Sequence, residues 1–530
     1  MRIKILLVFV HLVSVLYLLA LSHSGFAADQ DANAGVLTLN EAILFTLSDN
    51  PGIQIVEANV ERAKAELQQG AGQFDWSFVA STSYGRTSTL NDPSNANPNI
   101  NFSESIDSGG NFALKKLFRN GITIQPDLSV NRNKQGTVYD PLGTSNAAIT
   151  VSVPLLKGSG KGAAGINEES LNANMEAEKY TRIYDVSNLV FNTVAAYWVT
   201  LSEQQSQIIV NKGLARGERN AKILRGLVNG GELPSSQLQR AIAEIDLSQL
   251  SAEARSEVLY TRYQELIVSM GGDATVAQPV ASLSTALPDP LSSDLGYLPA
   301  YEQMLSVSFE NRGDIIAAKH QIEANRLLTD QAKKNLLPTL DLSVGVGVIG
   351  ANAGKEKLEP YNFPEHERSN TDYSIGLSFV MPFGNNVAKG ELAKNRSSYR
   401  IAQENLRSLQ ITIQSDLSAV LNRIDSNRKR YKKAAHAINI YADLVKDGLE
   451  QVINGEQTFA DLVDLEDRLT SAQLTGLDAR TQFALALAEL RIITGTAAQL
   501  EASTQKLLFS SQLFKSLPNA DTTINNTLVK

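Results

Sequence analysis

The sequence predicts an α+β membrane protein: an oligomeric β-barrel continuous with a long α-helical coiled-coil tube, built as an internal tandem repeat. Each chain supplies about four strands, or six if an extra segment joins. Two observations carry this prediction. Residues 386–496 read as one helical hairpin with a glycine tip, and 161–270 read as a second, tipped at Gly230-Gly231. An alternating strand that closes on a proline feeds each hairpin, through Val151-Ser152-Val153-Pro154 and Met381-Pro382-Phe383. At roughly 1.5 Å per residue, a helix over 386–452 extends about 100 Å, far beyond what a globular core needs.

The N-terminus reads as a secretory signal, residues 1–27. Arg2 and Lys4 precede an apolar run from Ile5 to Leu21, and Gly25-Phe26-Ala27 offers small residues for cleavage. No later stretch approaches the roughly 18 to 20 apolar residues of a spanning helix, so further membrane contact falls to β-structure. The chain has no cysteine, which for a secreted protein of 530 residues points to a bacterial envelope protein held by packing or oligomerisation. It also excludes anchoring through a lipidated cysteine. The formal charge is −8, and residues 1–27 hold two basic and no acidic side chains, leaving −10 on the remainder. An acidic chain argues against a nucleic-acid partner.

The first repeat spans 28–272, with helices over 38–72, strands over 74–86 and 147–155, and the hairpin over 161–270. Thr38 and Glu41 have capping-box spacing and mark the first helix start. A linker follows over 273–298, where Pro279, Pro288 and Pro290 lie among serines and alanines. The second repeat spans 299–498, with a helix over 313–335, strands over 338–350 and 372–383, and the hairpin over 386–496. Residues 499–530 form a polar tail. Asn50-Pro51-Gly52-Ile53 and Arg312-Gly313-Asp314-Ile315, like Phe74 and Leu336, are separated by one offset of 262 residues.

Strand periodicity is unusually pure. Leu340, Leu342, Val344, Val346 and Val348 alternate with Thr339, Asp341, Ser343, Gly345 and Gly347. Tyr373, Ile375, Leu377, Phe379 and Met381 alternate with Ser374, Gly376, Ser378 and Val380. One apolar face and one small or polar face suit lipid outside and water inside a barrel. The extra β segment, 109–132, alternates over 121–130, with 111–118 as its partner. It is either a long external hairpin or two further barrel strands. The loops 87–108 and 351–371, rich in Asn, Pro and Ser, face the exterior on this reading. The helices carry heptad seams, with Leu462, Leu465, Leu469, Ala472 and Gly476 in steps of three and four. Four strands cannot close a barrel, whose practical minimum is about eight, so several chains must share one.

This order of strand, proline turn, long helix, glycine tip and return helix resembles the TolC family of outer-membrane efflux proteins. The most specific stretches are residues 153–160 (VPLLKGSG) and 454–464 (NGEQTFADLVD). The resemblance implies a homotrimer whose barrel lies in the outer membrane of a Gram-negative-type envelope and whose helices tunnel through the periplasm. It further implies two partners, a periplasmic adaptor (membrane fusion) protein and an inner-membrane pump.

Asp461 and Asp464 stand three apart just past the second tip, off the Leu462 seam. Three-fold symmetry would gather six carboxylates into a cation-attracting constriction. The competing reading is a solvated acidic helix start favoured by the helix dipole. Where the family often carries an arginine two residues after the tip glycine, this chain has Gln457. Gln237 and Arg240 match Asp461 and Asp464 in the first half, and Arg240 is either paired with an acidic neighbour or an ordinary surface residue. Gly230, Gly231 and Gly455 permit a tight reversal and close approach by an adaptor hairpin.

Gly158-Ser159-Gly160-Lys161-Gly162 lacks the spacing of a phosphate loop, and Arg312-Gly313-Asp314 matches a helix start rather than an adhesion motif. No Ser-His-Asp, paired-acid or metal constellation stands out, so the sequence predicts neither enzyme nor cofactor. It predicts an outer-membrane exit duct for tripartite efflux or type I secretion, passing substrates from adaptor and pump to the exterior. The alternative is a structural or adhesive envelope protein using the rods as spacers. Drugs, metal ions and polypeptides all remain open as cargo.

Overall fold

The computed structural model describes residues 35–90, 102–135, 141–160, 163–273, 281–292, 300–353, 368–500, 507–509 and 514. The expected signal peptide, Lys161 and most of the expected tail lie outside the described residues.

A short strand β1 (Val36–Leu37) leads into α1 (Leu39–Asp49) and α2 (Pro51–Ala71). Thr38 caps α1 reciprocally: its hydroxyl accepts from the Glu41 N–H, and its own N–H donates 2.8 Å to the Glu41 carboxylate. Four strands follow, β2 (Ser77–Leu90), β3 (Phe102–Leu117), β4 (Thr123–Gln135) and β5 (Leu142–Pro154). The first hairpin is α3 (Ile166–Asn229) with α4 (Ser235–Met270), and β6 (Ser282–Leu283) then pairs parallel with β1. The second half runs α5 (Tyr301–Asn311), α6 (Gly313–Lys334), β7 (Thr339–Ala353), β8 (Arg368–Val380), α7 (Asn386–Ile453) and α8 (Phe459–Ile493).

Six strands form one antiparallel sheet in the order β2-β3-β4-β5-β7-β8. The segment 109–132 therefore belongs to two full strands of this sheet, and the chain supplies six. Register explains the joining. Ile375 faces Val344, which faces Val151, which faces Ile124. Leu128 faces Phe112, which faces Ala80. These residues share one apolar face from β8 to β2, with Ile375 81% and Tyr373 80% exposed. The other face carries Ser374, Gly345, Thr150 and Gln125 in a single row. Proline lacks an amide donor, and the β3–β4 ladder lapses opposite Pro126, between the pairs Ala113–Asp127 and Lys116–Ile124.

Residues 87–90, 102–108, 351–353 and 368–371, expected in external loops, are strand. Residues 91–101 and 354–367 lie outside the described residues. The expected linker is partly docked. Leu283 and Leu287 are buried, and Arg480 donates to the carbonyls of Leu287 and Pro288, the latter at 3.0 Å. Leu283 and Leu287, set among serines, alanines and prolines, supply buried apolar surface that docks it.

The helical halves repeat their packing. Thr46 and Ser308, 262 residues apart, are both fully buried, each returning its hydroxyl to the carbonyl four residues back. One core joins Leu39, Ile43, Val190, Tyr197 and Trp198 to Leu266. The other joins Met304, Ile315, Leu417, Val420 and Ile424 to Leu487. Ala484 and Ala488 of α8 line the first while Phe483 and Leu487 line the second, so one helix closes both.

Helix ends also meet in repeated pairs. The Asn50 amide donates 2.7 Å to the Ser269 carbonyl, where α4 ends against the start of α2. The Arg312 guanidinium donates 3.4 Å to the Ile493 carbonyl, where α8 ends against the start of α6. Gly271 and Gly495 end those helices at φ +93° and +68°. A Cβ on Gly271 would lie 2.5 Å from Asn50 Cα, and one on Gly495 2.7 Å from the Arg312 nitrogen. Among the described residues, no helix is long and apolar enough to cross a membrane.

Candidate functional site at the hairpin tips

Both hairpins reverse by the same device. In the first, the Gly230 N–H bonds the Gly226 carbonyl at 3.0 Å, Gly231 takes φ +77°, and the Glu232 N–H reaches Leu227 at 2.9 Å. In the second, the Asn454 N–H bonds Glu450 at 2.9 Å, Gly455 takes φ +76°, and Glu456 reaches Gln451 at 2.9 Å. The left-handed glycine satisfies carbonyls that a helix end otherwise leaves open. No atom lies within 4 Å of a Cβ built on Gly231 or Gly455, so both tips have open space around them.

Just beyond the second tip, Thr458 and Asp461 form a second capping box. The Thr458 hydroxyl lies 2.6 Å from Asp461 Oδ2, and the Asp461 N–H donates 3.3 Å back to that hydroxyl. Asp461 thus has a structural duty at the helix start. The spacing Thr458-x-x-Asp461 carries this signal in the sequence, as Thr38-x-x-Glu41 does for α1. Asp464 pairs with Arg468 at 2.7 Å, with both side chains more than half exposed, and such a pair contributes little stability. Asp461 and Asp464 lie on the solvent side of α8, while Phe459 and Leu462 are buried with Ala221, Leu224, Ala241 and Val452. That small core holds the two tips together.

Gln457 is half-buried and packs beside Gly448, its Oε1 without a hydrogen-bond partner among the described residues. Arg240 is exposed on α4 and makes no ion pair among the described residues. The residues named from the sequence are therefore all near the tips, but Arg240 and the Asp461–Asp464 pair are not in bonded contact.

The polar link between the hairpins uses residues that sequence reading passed over. The Asn220 amide of α3 donates 2.8 Å to the Glu466 carboxylate of α8, and Arg216 donates 3.3 Å to the Thr470 hydroxyl. Asn220 is buried. Burial pushes the Glu466 carboxyl up from its ordinary value, against the opposing effect of the Asn220 bond and Arg216. Asp467 is raised too, first by burial and then by Glu244 and Asp464. These groups edge a cavity of about 440 Å³ between α3, α4 and α8, which Arg216, Glu244 and Asp467 line with Gly213 and Gly217. A signal was available: Glu466 follows Leu462 by four residues, which sets a carboxylate on the buried stripe. The arrangement can hold two hairpins together reversibly, since its bonds are polar and its carboxyls titratable.

Residues 304–496 match the family model described as "Outer membrane efflux protein". No curated protein matches the chain. Among solved structures, the CmeC outer membrane channel of Campylobacter jejuni is 14% identical with a TM-score of 0.61, covering 89% of this chain and 90% of that one. The outer membrane protein VceC of Vibrio cholerae is 15% identical with a TM-score of 0.61, covering 86% and 96%. The open state of the Neisseria gonorrhoeae MtrE outer membrane channel is 15% identical with a TM-score of 0.61, covering 86% and 88%. The α+β fold is that of these channels. The resemblance drawn from the sequence is borne out, and the outer-membrane location expected with it agrees with these matches.

Proposed function

We propose that this chain, with the fold of the outer-membrane efflux channels and their family pattern over its second half, is the exit duct of a tripartite efflux or type I secretion system. Three copies close one barrel and one tunnel. A periplasmic adaptor docks at Gly230, Gly231 and Gly455, and an inner-membrane pump drives cargo through a passive conduit.

One observation carries the reading: the two halves are joined by contacts whose counterparts a single chain leaves unmade. β5 pairs with β7, and α3 packs on α6 and on α8. The repeat makes β8 with β2, α7 with α2, and α7 with α4 the corresponding contacts. Among the described residues β2 and β8 are the sheet's two edges, and neither α2 nor α4 packs substantially on α7. Ile440 and Leu444 on α7 and Ile242 on α4 stay exposed at 47%, 42% and 41%. A ring of copies satisfies every one of these surfaces at once. It also removes both sheet edges, which otherwise invite uncontrolled pairing.

At the tip of such a ring, Asp461 and Asp464 would place six carboxylates around the axis, with Gln457 and Arg240 beside them as further gate residues. The purified full chain should conduct ions in planar bilayers, and added multivalent cations should reduce the current. Neutralising Asp461 and Asp464 should weaken that block. A protein that stays silent even when the Asn220–Glu466 link is removed is not a duct.

A further inference from the structure

We infer that the hairpin β3–β4 widens the barrel to eighteen strands, adapting the duct to bulky hydrophilic cargo of neutral to cationic character. This rests on the reading above, that three copies share one barrel. The four-strand pattern, without this hairpin, would close with twelve.

Three observations place the hairpin in the barrel wall. Its strands are paired on both sides, β3 to β2 and β4 to β5, over nearly their whole length. An external hairpin would leave β2 paired with β5, a pairing that the order β2-β3-β4-β5 excludes. Next, its side chains keep the wall's two faces in register: Phe112, Leu114, Leu128 and Val130 continue the apolar face, while Asn111, Asp127, Ser129 and Asn131 continue the polar one. Finally, its turn is seated at the base where barrel meets helices. Arg119 in the turn forms a forked pair with Glu168 in the first turn of α3, at 2.6 and 2.7 Å, and stacks over Phe74 just before β2. Gly121 lies so close to the Gly158 carbonyl that a Cβ would fall 2.4 Å from it. Strands of 16 and 13 residues beginning and ending there cross the same layer as their neighbours.

Width follows from strand number. With strands about 4.8 Å apart and tilted about 40°, twelve give a backbone diameter of roughly 24 Å and eighteen roughly 36 Å. The open cross-section thus rises at least about twofold. The inner face added by the hairpin contains no aromatic residue, and its charged groups are Asp107, Asp127 and Lys115. Asp127 shares a row with Asp372 of β8 through Ala148 and Gly347. A lining of amides, hydroxyls and carboxylates offers apolar solutes no adhesive surface and repels polyanions.

The test uses the full chain, whose lack of native cysteine makes single-cysteine labelling clean. Variants L128C and F112C should be quenched by a lipid-borne nitroxide through an attached fluorophore, and S129C and N111C should react with a water-soluble maleimide. Neutral polyethylene glycols of graded size, added from the outer side in planar bilayers, should enter up to a hydrated diameter roughly one and a half times that accepted when residues 102–135 are deleted. If all four cysteines label equally from water, or the deletion leaves the polymer limit unchanged, the hairpin is not barrel wall and the inference fails, while persisting conductance leaves the duct reading intact. A chain that neither conducts nor shows the alternation overturns both. Should the deletion variant not assemble, the cysteine pairs decide alone.

Discussion

The Asn220 amide donates 2.8 Å to the Glu466 carboxylate, so the bond ties α3 to α8 across the two hairpins rather than bracing either one. Removing the amide leaves a half-buried carboxylate without that donor, a loss of about 1.5 to 2 kcal/mol for a charged partner. Asn220→Ala should raise open-channel current in planar bilayers by at least about tenfold in open probability, since 1.4 kcal/mol already corresponds to that factor. An unchanged current would remove this bond from the closing device.

The same pair predicts a pH response with a definite sign. The folded Glu466 carboxyl is raised above its ordinary 4.5, chiefly by burial, with Asn220, Arg216, Arg219 and Asp467 as the groups that face it. Asp467, raised alongside it, faces Glu244 and Asp464. Between the ordinary and raised values the packed tip binds more protons than a parted one, so closure strengthens as pH falls through the raised value toward 4.5. Above the raised value the ionised carboxylate weakens the contact. Current should therefore drop on mild acidification, and Glu466→Gln should lower it at neutral pH and flatten the response.

Asp461 and Asp464 separate capping from charge. Asp461→Asn and Asp464→Asn should weaken multivalent-cation block to similar extents. Thr458→Ala should instead cost about 1 kcal/mol at the start of α8 with the block unchanged. Hydrogen exchange of the first turn of α8 reports the cap, and bilayer recording reports the charge.

Arg312 is buried, paired with Asp314 at 2.7 Å, and lies 5.0 Å from the Tyr184 ring centre. Arg312→Ala would strand the Asp314 carboxylate, at a cost of about 3 to 5 kcal/mol. Arg312→Lys should recover little, because lysine lacks the planar fork that grips both carboxylate oxygens. Urea midpoints of the three proteins test the order.

Two left-handed glycines should respond very differently to alanine. At Gly455 the surroundings are open, and the penalty is the conformational one of about 1 to 2 kcal/mol. At Gly495 the new Cβ would meet the Asn311–Arg312 backbone within 3 Å, which adds an overpacking cost of about 1 to 3 kcal/mol and displaces a helix junction. Gly495→Ala should thus lower the thermal midpoint further than Gly455→Ala.

The sheet was legible because its two faces are chemically opposite, so that apolar residues alternate with small or polar ones, as in Tyr373 to Phe379. The hairpin β3–β4 was only half legible. On β3 the outward positions before Phe112 are Glu104, Ile106, Ser108 and Gly110, too mixed to show a period of two, and they became strand through pairing with β2 and β4. The tip glycines and the Thr38 cap followed from local chemistry. The Asn220–Glu466 bond joins residues 246 apart, and no local rule brings them together. Its trace was a single carboxylate on an otherwise apolar stripe.

The fork between Arg119 and Glu168 has a mechanical meaning. It bolts the base of an inserted β-hairpin to the first turn of a 64-residue helix, and the Asn385 amide makes a similar stitch to the Leu336 carbonyl at 3.1 Å. A shaft keyed to its collar at two places cannot turn freely within it. Torque applied at the far end of the rods therefore loads the collar, and compliance is left to the distal end, where a small apolar core and a polar link span the two hairpins.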